Sequence, residues 1–195
     1  NEIAQSQGAG CAFAHYWLHN GHIRVRDEKM SKSLGNFVTV RDLIPIYGGE
    51  ALRFFILSSH YRSPLQYSDD ALAAAQNSLV RLYTTLRGLP PHELVPELGA
   101  DWEARFVAAL ADDANTPGAL AVLFELAREI NRLREQGSEL ASPLGTLLRH
   151  LGGILGLLQQ DPERFFQGED EDADWIEAKL AERQTARAQR NFAHA

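Results

Sequence analysis

The chain has 195 residues, 45% of them hydrophobic, which is enough apolar matter to bury a core and excludes disorder as the default. A formal net charge of −7 excludes a protein that coats nucleic acid over its whole surface, so any RNA contact must come from a local basic patch. A single cysteine, Cys11, excludes an intramolecular disulfide framework, and neither a signal segment nor a membrane-length apolar run is present, so a reduced, cytoplasmic protein without membrane contact is expected.

In chain order, Asn1-Glu2-Ile3-Ala4-Gln5-Ser6 reads as the middle of a helix, with no initiator Met. Tyr16–His19 and His22–Val25 flank Asn20-Gly21, a pair suited to a tight turn, and predict a hairpin. Thr39 followed by Asp42 predicts a capped helix of about two turns ending at Gly48-Gly49. Residues 50–58 are apolar nearly all round and predict a buried helix. From Ser68, Asp69-Asp70 in a first turn and Leu72, Leu79, Leu82 and Leu86 at helical spacing predict a long helix stopped by Gly88 and Pro90-Pro91. Further helices are predicted from Asp101 to Leu110, from a Thr116 cap and Pro117 to about Gln136, from a Ser142 cap and Pro143 through Leu158, and from about Ala173 onward. The last runs to Phe192-Ala193-His194-Ala195 without a stop, so both ends are expected to be cut from a longer protein.

These signals predict a mostly α chain with an antiparallel helical bundle after Ser68. The first sixty-odd residues are too short to close a core and are expected to complete the edge of a sheet domain. Cys11 is expected to be a small buried hydrophobe.

The string Lys29-Met30-Ser31-Lys32-Ser33-Leu34-Gly35-Asn36 carries the chemistry. Two lysines three apart, set among hydroxyls and followed by Gly, suit a clamp on polyphosphate, because an ammonium is a point charge on a long stem. When a carboxylate attacks the α-phosphorus of ATP, charge builds on the departing pyrophosphate, and a cation placed to meet it lowers the barrier.

The octet resembles the signature loop of class I aminoacyl-tRNA synthetases, and its surroundings resemble the cysteinyl-tRNA synthetases. Asn1–Ser6, Trp17-x-His19-Asn20-Gly21, Asn36-Phe37-x-Thr39-x-Arg41-Asp42, the stretch from Arg53-Phe54 to His60-Tyr61-Arg62-Ser63-Pro64-Leu65, and Asp112-Asp113-x-Asn115-Thr116-Pro117-x-Ala119-Leu120 carry the likeness over nearly the whole chain. The resemblance implies a Rossmann-like catalytic domain that activates cysteine with ATP and Mg²⁺ and passes it to tRNA(Cys), in a cytoplasmic monomer. It implies an ATP site at Lys29, Met30, Ser31, Lys32 and Ser33, with Lys29 and Lys32 catalytic and Lys32 in direct contact with ATP. It also implies a zinc ion that binds the substrate thiolate, for which Glu2 matches one of four ligands. The other three have no match in this chain, so zinc is expected only in an intact enzyme.

The expected organisation is a catalytic-domain remnant at 1–36, a connecting region at 37–66, a tRNA-binding bundle at 67–160 and a linker with a truncated helix at 161–195. The ATP-binding His-x-Gly-His segment of the family is absent, so this stretch alone is expected to be inactive. Ala114 stands where the family usually has an aromatic. Arg62, Arg81, Arg87, Arg128, Arg132 and Arg134, and Lys179, Arg183, Arg187 and Arg190, are candidate tRNA contacts, the second group explained almost as well as a solvated helix face paired with Glu177 and Glu182. Asp112–Pro117, His15, His19, His22 and His60 are expected to be structural. Two alternatives stay open: a non-catalytic helical RNA-binding module, and the related ligase that joins cysteine to an amino sugar.

Overall fold

In the computed structural model, residues 1–25, 28–29, 38–167 and 179 are described, and they form eight helices and three short strands. The chain is mostly α, as its periodicity predicts. It divides into two compact units, one of Asn1–Gln76 with Val107–Leu120, the other of Asn77–Phe106 with Ala121–Ala195.

The first unit opens with α1 (Glu2–Gly8), which buries no residue. The segment after it runs along the surface with Phe13, Tyr16, Trp17 and Leu18 exposed. Cys11 lies on that segment and is exposed, against the expectation of burial, because no described element covers this stretch.

A three-stranded sheet follows, in the order β2-β1-β3. β1 (Ile23–Val25) pairs antiparallel with β2 (Glu28–Lys29), Arg24 opposite Lys29, and parallel with β3 (Leu65–Tyr67), Ile23 opposite Leu65. The turn predicted at Asn20-Gly21 is therefore misplaced, since the antiparallel pair is β1 with β2. The reason lies in long-range bonds: Gly21 donates its N–H to the Tyr61 carbonyl at 2.7 Å, and Leu65 donates to the His22 carbonyl at 3.0 Å. Residues 21–25 thus pair with 61–67 instead of folding back on Tyr16–His19. Gly21 permits this approach, for a Cβ there would stand 2.9 Å from Pro64 N and nearer still to the Ser63 carbonyl.

α2 (Val40–Tyr47) starts at Thr39 with a complete capping box. The Thr39 hydroxyl accepts from Asp42 N at 3.2 Å, and the Asp42 carboxylate accepts from Thr39 N at 3.1 Å, so orphan donors of the first turn are satisfied reciprocally. The Thr39 hydroxyl also donates to the Asp42 carboxylate, and that bond first, then the one from Thr39 N, holds the Asp42 carboxyl below its ordinary range. α3 (Gly49–Leu57) buries Ala51, Leu52, Phe54 and Phe55 but leaves Ile56 54% exposed. It is a one-sided helix, not the fully enclosed one its composition suggests.

α4 (Asp69–Leu86) begins where Ser68 Oγ accepts from Ala71 N at 3.1 Å, a side-chain cap at the predicted place. Leu72, Leu79, Leu82 and Leu86 are all buried. α5 (Pro96–Ala111) starts earlier than the predicted Asp101, since Pro96 suits a first helical position and Gly99 allows the Leu147 side chain close to the backbone.

Asn115, not Thr116, caps α6 (Thr116–Glu135): its side-chain oxygen accepts from Gly118 N at 2.9 Å. The Thr116 hydroxyl is used elsewhere, donating at 2.8 Å to the Leu57 carbonyl at the end of α3. In the second unit α4 and α6 run in the same sense, because Arg81 lies over Phe124 while Thr85, further along, meets Asn131 and Arg134.

α7 (Ala141–Ile154) takes Ser142 and Pro143 into its first turn, where a missing N–H costs nothing, so the predicted cap is one step inside the helix. It ends before the predicted Leu158. Gly156 adopts φ +69°, Leu157 N–H bonds the Gly152 carbonyl and Gly156 N–H the Gly153 carbonyl, both at 2.9 Å, a double closure that stops the helix and turns Leu157 and Leu158 into the core. α8 (Pro162–Gln167) packs Phe165 on Tyr83 with ring centroids 3.9 Å apart. The last helix, predicted from residue 173, lies outside the described residues apart from Lys179.

Candidate functional site

Of the lysine loop, Lys29 alone falls among the described residues, and its backbone is the second residue of β2. Met30, Ser31, Lys32 and Ser33 lie outside them. What is described is the frame. The loop leaves strand β2, which β1 holds in register, and returns into α2 through the Thr39–Asp42 cap. Residues before and after it, Ile23 on one side and Val38 and Val40 on the other, line one small apolar cavity of about 80 Å³ with Leu43, Phe55 and Leu65. Both stems of the loop therefore rest on a common apolar surface inside the first unit.

β3, the strand beside β1, is tied at both ends. At its C-terminal end the hydroxyls of Tyr67 and of Tyr47, at the end of α2, both donate to the Asp69 carboxylate at 3.3 Å. Partial desolvation and that carboxylate raise both phenols above their usual range. At its N-terminal end Arg62 grips Asp113 through Nε at 2.6 Å and Nη2 at 3.0 Å, and the Tyr61 hydroxyl donates to the same carboxylate at 2.7 Å. The His60 ring stacks on Tyr61 and brings Nε2 within 3.8 Å of Asp113, a contact within the structural role expected of His60.

The turn that presents Asp113 is unusual. Asp113 and Ala114 both sit at φ 52°, in the left-handed region that ordinary side chains avoid. Alanine has no side-chain hydrogen bond to ease it, so the conformation persists because the surrounding bonds fix it. Sequence reasoning treated Asp112–Pro117 as structural and found no partner for it. The acid-rich turn and the basic His60-Tyr61-Arg62 run are complementary, but nothing local links two strings fifty residues apart.

Bonds from Arg62 and then Tyr61 hold the Asp113 carboxyl at about 2, against an ordinary 3.8. A carboxylate with a depressed folded value contributes stability that is complete above the unfolded value and is lost as pH falls through the folded one. The Asp113→Asn variant is therefore expected to show a flatter melting temperature profile than the parent between pH 4 and pH 2, with the two indistinguishable in slope above pH 5. Thermal melts across that range test it, and parallel profiles throughout would count against the tie.

Glu2 is exposed in the first turn of α1. Among the described residues no three His, Cys, Asp or Glu side chains gather, so these residues do not by themselves make a zinc site. Of the candidate arginines, Arg62 is committed to Asp113, Arg87 to Glu163, Arg132 to Glu129, and Arg134 to the Thr85 carbonyl. Arg81 and Arg128 share one groove of the second unit. No described helix is long and apolar enough to cross a membrane.

Residues 1–77 match the family of tRNA synthetases class I (C), catalytic domain, and residues 105–159 match the DALR domain. All of the chain is 58% identical to a cysteine-tRNA ligase of Alkalilimnicola ehrlichii and 55% identical to one of Thioalkalivibrio sulfidiphilus, and in each case it spans 43% of the relative's length. It is 51% identical to a cysteine-tRNA ligase of Haemophilus influenzae, again over the whole chain and 43% of the relative. The chain thus spans less than half the length of the curated relatives it matches. The two family matches lie in chain order, and over its whole length the chain is similar to cysteine-tRNA ligases.

Proposed function

We propose that this chain is the portion of a cysteine-tRNA ligase that supplies the ATP-contacting lysine loop and the tRNA-facing helices. Activation joins the cysteine carboxylate oxygen to the α-phosphorus of ATP and breaks the bond to the β-phosphate oxygen, releasing pyrophosphate. A terminal hydroxyl of tRNA(Cys) then attacks the activated carbonyl and AMP departs. Magnesium accompanies ATP and offsets its phosphate charge. Zinc would bind the substrate thiolate in the intact enzyme, with Glu2 as this chain's contribution to it.

The chain's own task in the first step is to bring Lys29 and Lys32 to the phosphates, with Met30, Ser31 and Ser33 shaping the loop between them. The frame of the loop supports this role. A strand held in register on one side and a capped helix on the other, resting on one apolar surface, define where the intervening residues begin and end. A cation that meets the phosphates as charge develops on them lowers the barrier.

The single observation that carries the proposal is the identity of 50–58% to cysteine-tRNA ligases over 99–100% of the chain. The full-length protein is expected to exchange pyrophosphate into ATP only when cysteine is added and to charge tRNA(Cys). Exchange driven equally by another amino acid, or charging of an amino sugar in place of tRNA, would overturn it.

A further inference from the structure

Arg81, Thr84 and Thr85 of α4 and Phe124, Ala127, Arg128 and Asn131 of α6 line a groove of about 210 Å³ within the second unit. Its polar floor is closed on itself. The Asn131 amide donates to Thr85 Oγ1 at 3.1 Å, Thr85 donates to the Arg81 carbonyl at 3.2 Å, and Thr84 donates to the Val80 carbonyl at 2.8 Å. The charges are confined to the two arginines on its walls.

The arginines are not consumed by the protein. The nearest acids on α6 are already engaged, Glu125 by Arg105 and Glu129 by Arg132 through two bonds. No carboxylate lines the groove, and neither arginine forms a close ion pair among the described residues; Glu125, bonded by Arg105, feels the Arg128 charge only as the weakest of the influences that lower its carboxyl. The Arg81 guanidinium lies over the Phe124 ring, 5.4 Å from its centroid. A guanidinium over an aromatic face is attracted to the ring and keeps its fork of N–H donors for an oxyanion with parallel acceptor oxygens. In a chain of net charge −7, two guanidinium groups with no carboxylate in the groove between them form a local field of the opposite sign.

We propose that this groove takes a phosphodiester segment of the tRNA backbone, with Arg81 and Arg128 as the contacting charges and Phe124 as the platform that orients Arg81. This rests on the proposed function and adds to it the place on the α4–α6 face where the RNA is held. The contact is to backbone, so it carries affinity and register but no base specificity.

The test is filter binding of the full-length protein to a tRNA(Cys) transcript over a series of salt concentrations. Each phosphate neutralised contributes about 0.7 to 0.9 to the slope of log affinity against log salt. The double variant Arg81→Ala/Arg128→Ala is expected to lower that slope by about 1.5 and to bind about tenfold or more weakly at low salt, with an unchanged melting temperature. The double variant Arg81→Lys/Arg128→Lys keeps both charges and is expected to restore the slope, and Phe124→Leu to weaken binding without changing it. If the parent binds tRNA and the alanine pair leaves slope and affinity unchanged, or the lysine pair fails to restore a lost slope, the groove is not the site. Competition by polyglutamate as effective as that by RNA would assign the groove to an acidic protein and equally overturn the proposal. Failure of the parent itself to bind tRNA would instead sink the underlying functional reading, so the two failures are distinct.

Discussion

Replacing Lys32 by alanine in the full-length protein is expected to slow cysteinyl-adenylate formation by about a hundred- to a thousand-fold, roughly 2.7–4 kcal/mol of transition-state stabilisation. The size follows from when the contact matters. In the ground state the pyrophosphate is still part of ATP and its charge is shared with Mg²⁺ and water, so an added ammonium gains little. As the bond to the α-phosphorus breaks, charge accumulates on the leaving group, and a cation already in place stabilises that charge without reorganising. An interaction realised only in the transition state lowers kcat and kcat/KM together and leaves the binding of the other substrate alone. Single-turnover adenylate formation with cysteine titrated separately measures both quantities. A loss of cysteine affinity equal to the loss in rate would refute the assignment. Lys32→Arg keeps the charge but changes its shape, and is expected to recover part of the rate. Lys29, whose backbone is held opposite Arg24 in the sheet, is expected to give a smaller loss on replacement, because Lys32 is the residue assigned the direct contact.

What the sequence told in advance was local. The Thr39–Asp42 box and the Ser68 cap are short-range bonds whose donors and acceptors lie within three residues, and both were legible. So was the buried stripe from Leu72 to Leu86, which is set by helical period alone. The misplaced turn and the misplaced α6 cap share one cause, competition from partners distant in sequence, whereas α7 stops early through a local closure at Gly156. Asn20-Gly21 has the chemistry of a tight turn, but Gly21 is spent on a close approach to Ser63 and Pro64. Thr116 has the chemistry of a cap, but its hydroxyl is spent on Leu57, and Asn115 takes over the cap. The three-residue strand β3 carries no period long enough to read, and it exists because β1 pairs with it. In the site, the octet stood out as a motif, and of it the structure describes the backbone of Lys29 alone. The ties around its frame, Arg62 and Tyr61 on Asp113 and two tyrosines on Asp69, were not legible, since complementary groups in separate motifs become partners only once the fold joins them.

The Gly21→Ala variant is expected to destabilise the protein by roughly 3 kcal/mol, beyond what one methyl group ordinarily costs. Its Cβ would fall 2.9 Å from Pro64 N and closer still to the Ser63 carbonyl, and all of those atoms are backbone. No side-chain rotation relieves such a clash, so residues 21–25 must draw away from 63–67. Overpacking of a fixed site costs about 1–3 kcal/mol, and each backbone bond lost with it adds about 1 more. At risk are the bond from Gly21 to Tyr61 at 2.7 Å, that from Leu65 to His22 at 3.0 Å, and the parallel pairing of Ile23, Arg24 and Val25 with Leu65, Gln66 and Tyr67. Gly8 provides the control, because a Cβ there meets nothing within 4 Å and its place in α1 favours alanine. Urea unfolding of the two variants, with hydrogen exchange read at the Leu65 amide, separates the outcomes. Gly21→Ala is expected to lower the midpoint and to expose that amide, while Gly8→Ala does neither. Because β1 also carries β2, the displacement should extend to Lys29, and adenylate formation should fall in Gly21→Ala at a temperature where it remains folded. A variant as stable as the parent, with Leu65 still protected, would mean that the β1–β3 approach does not set the position of the strand from which the lysine loop departs.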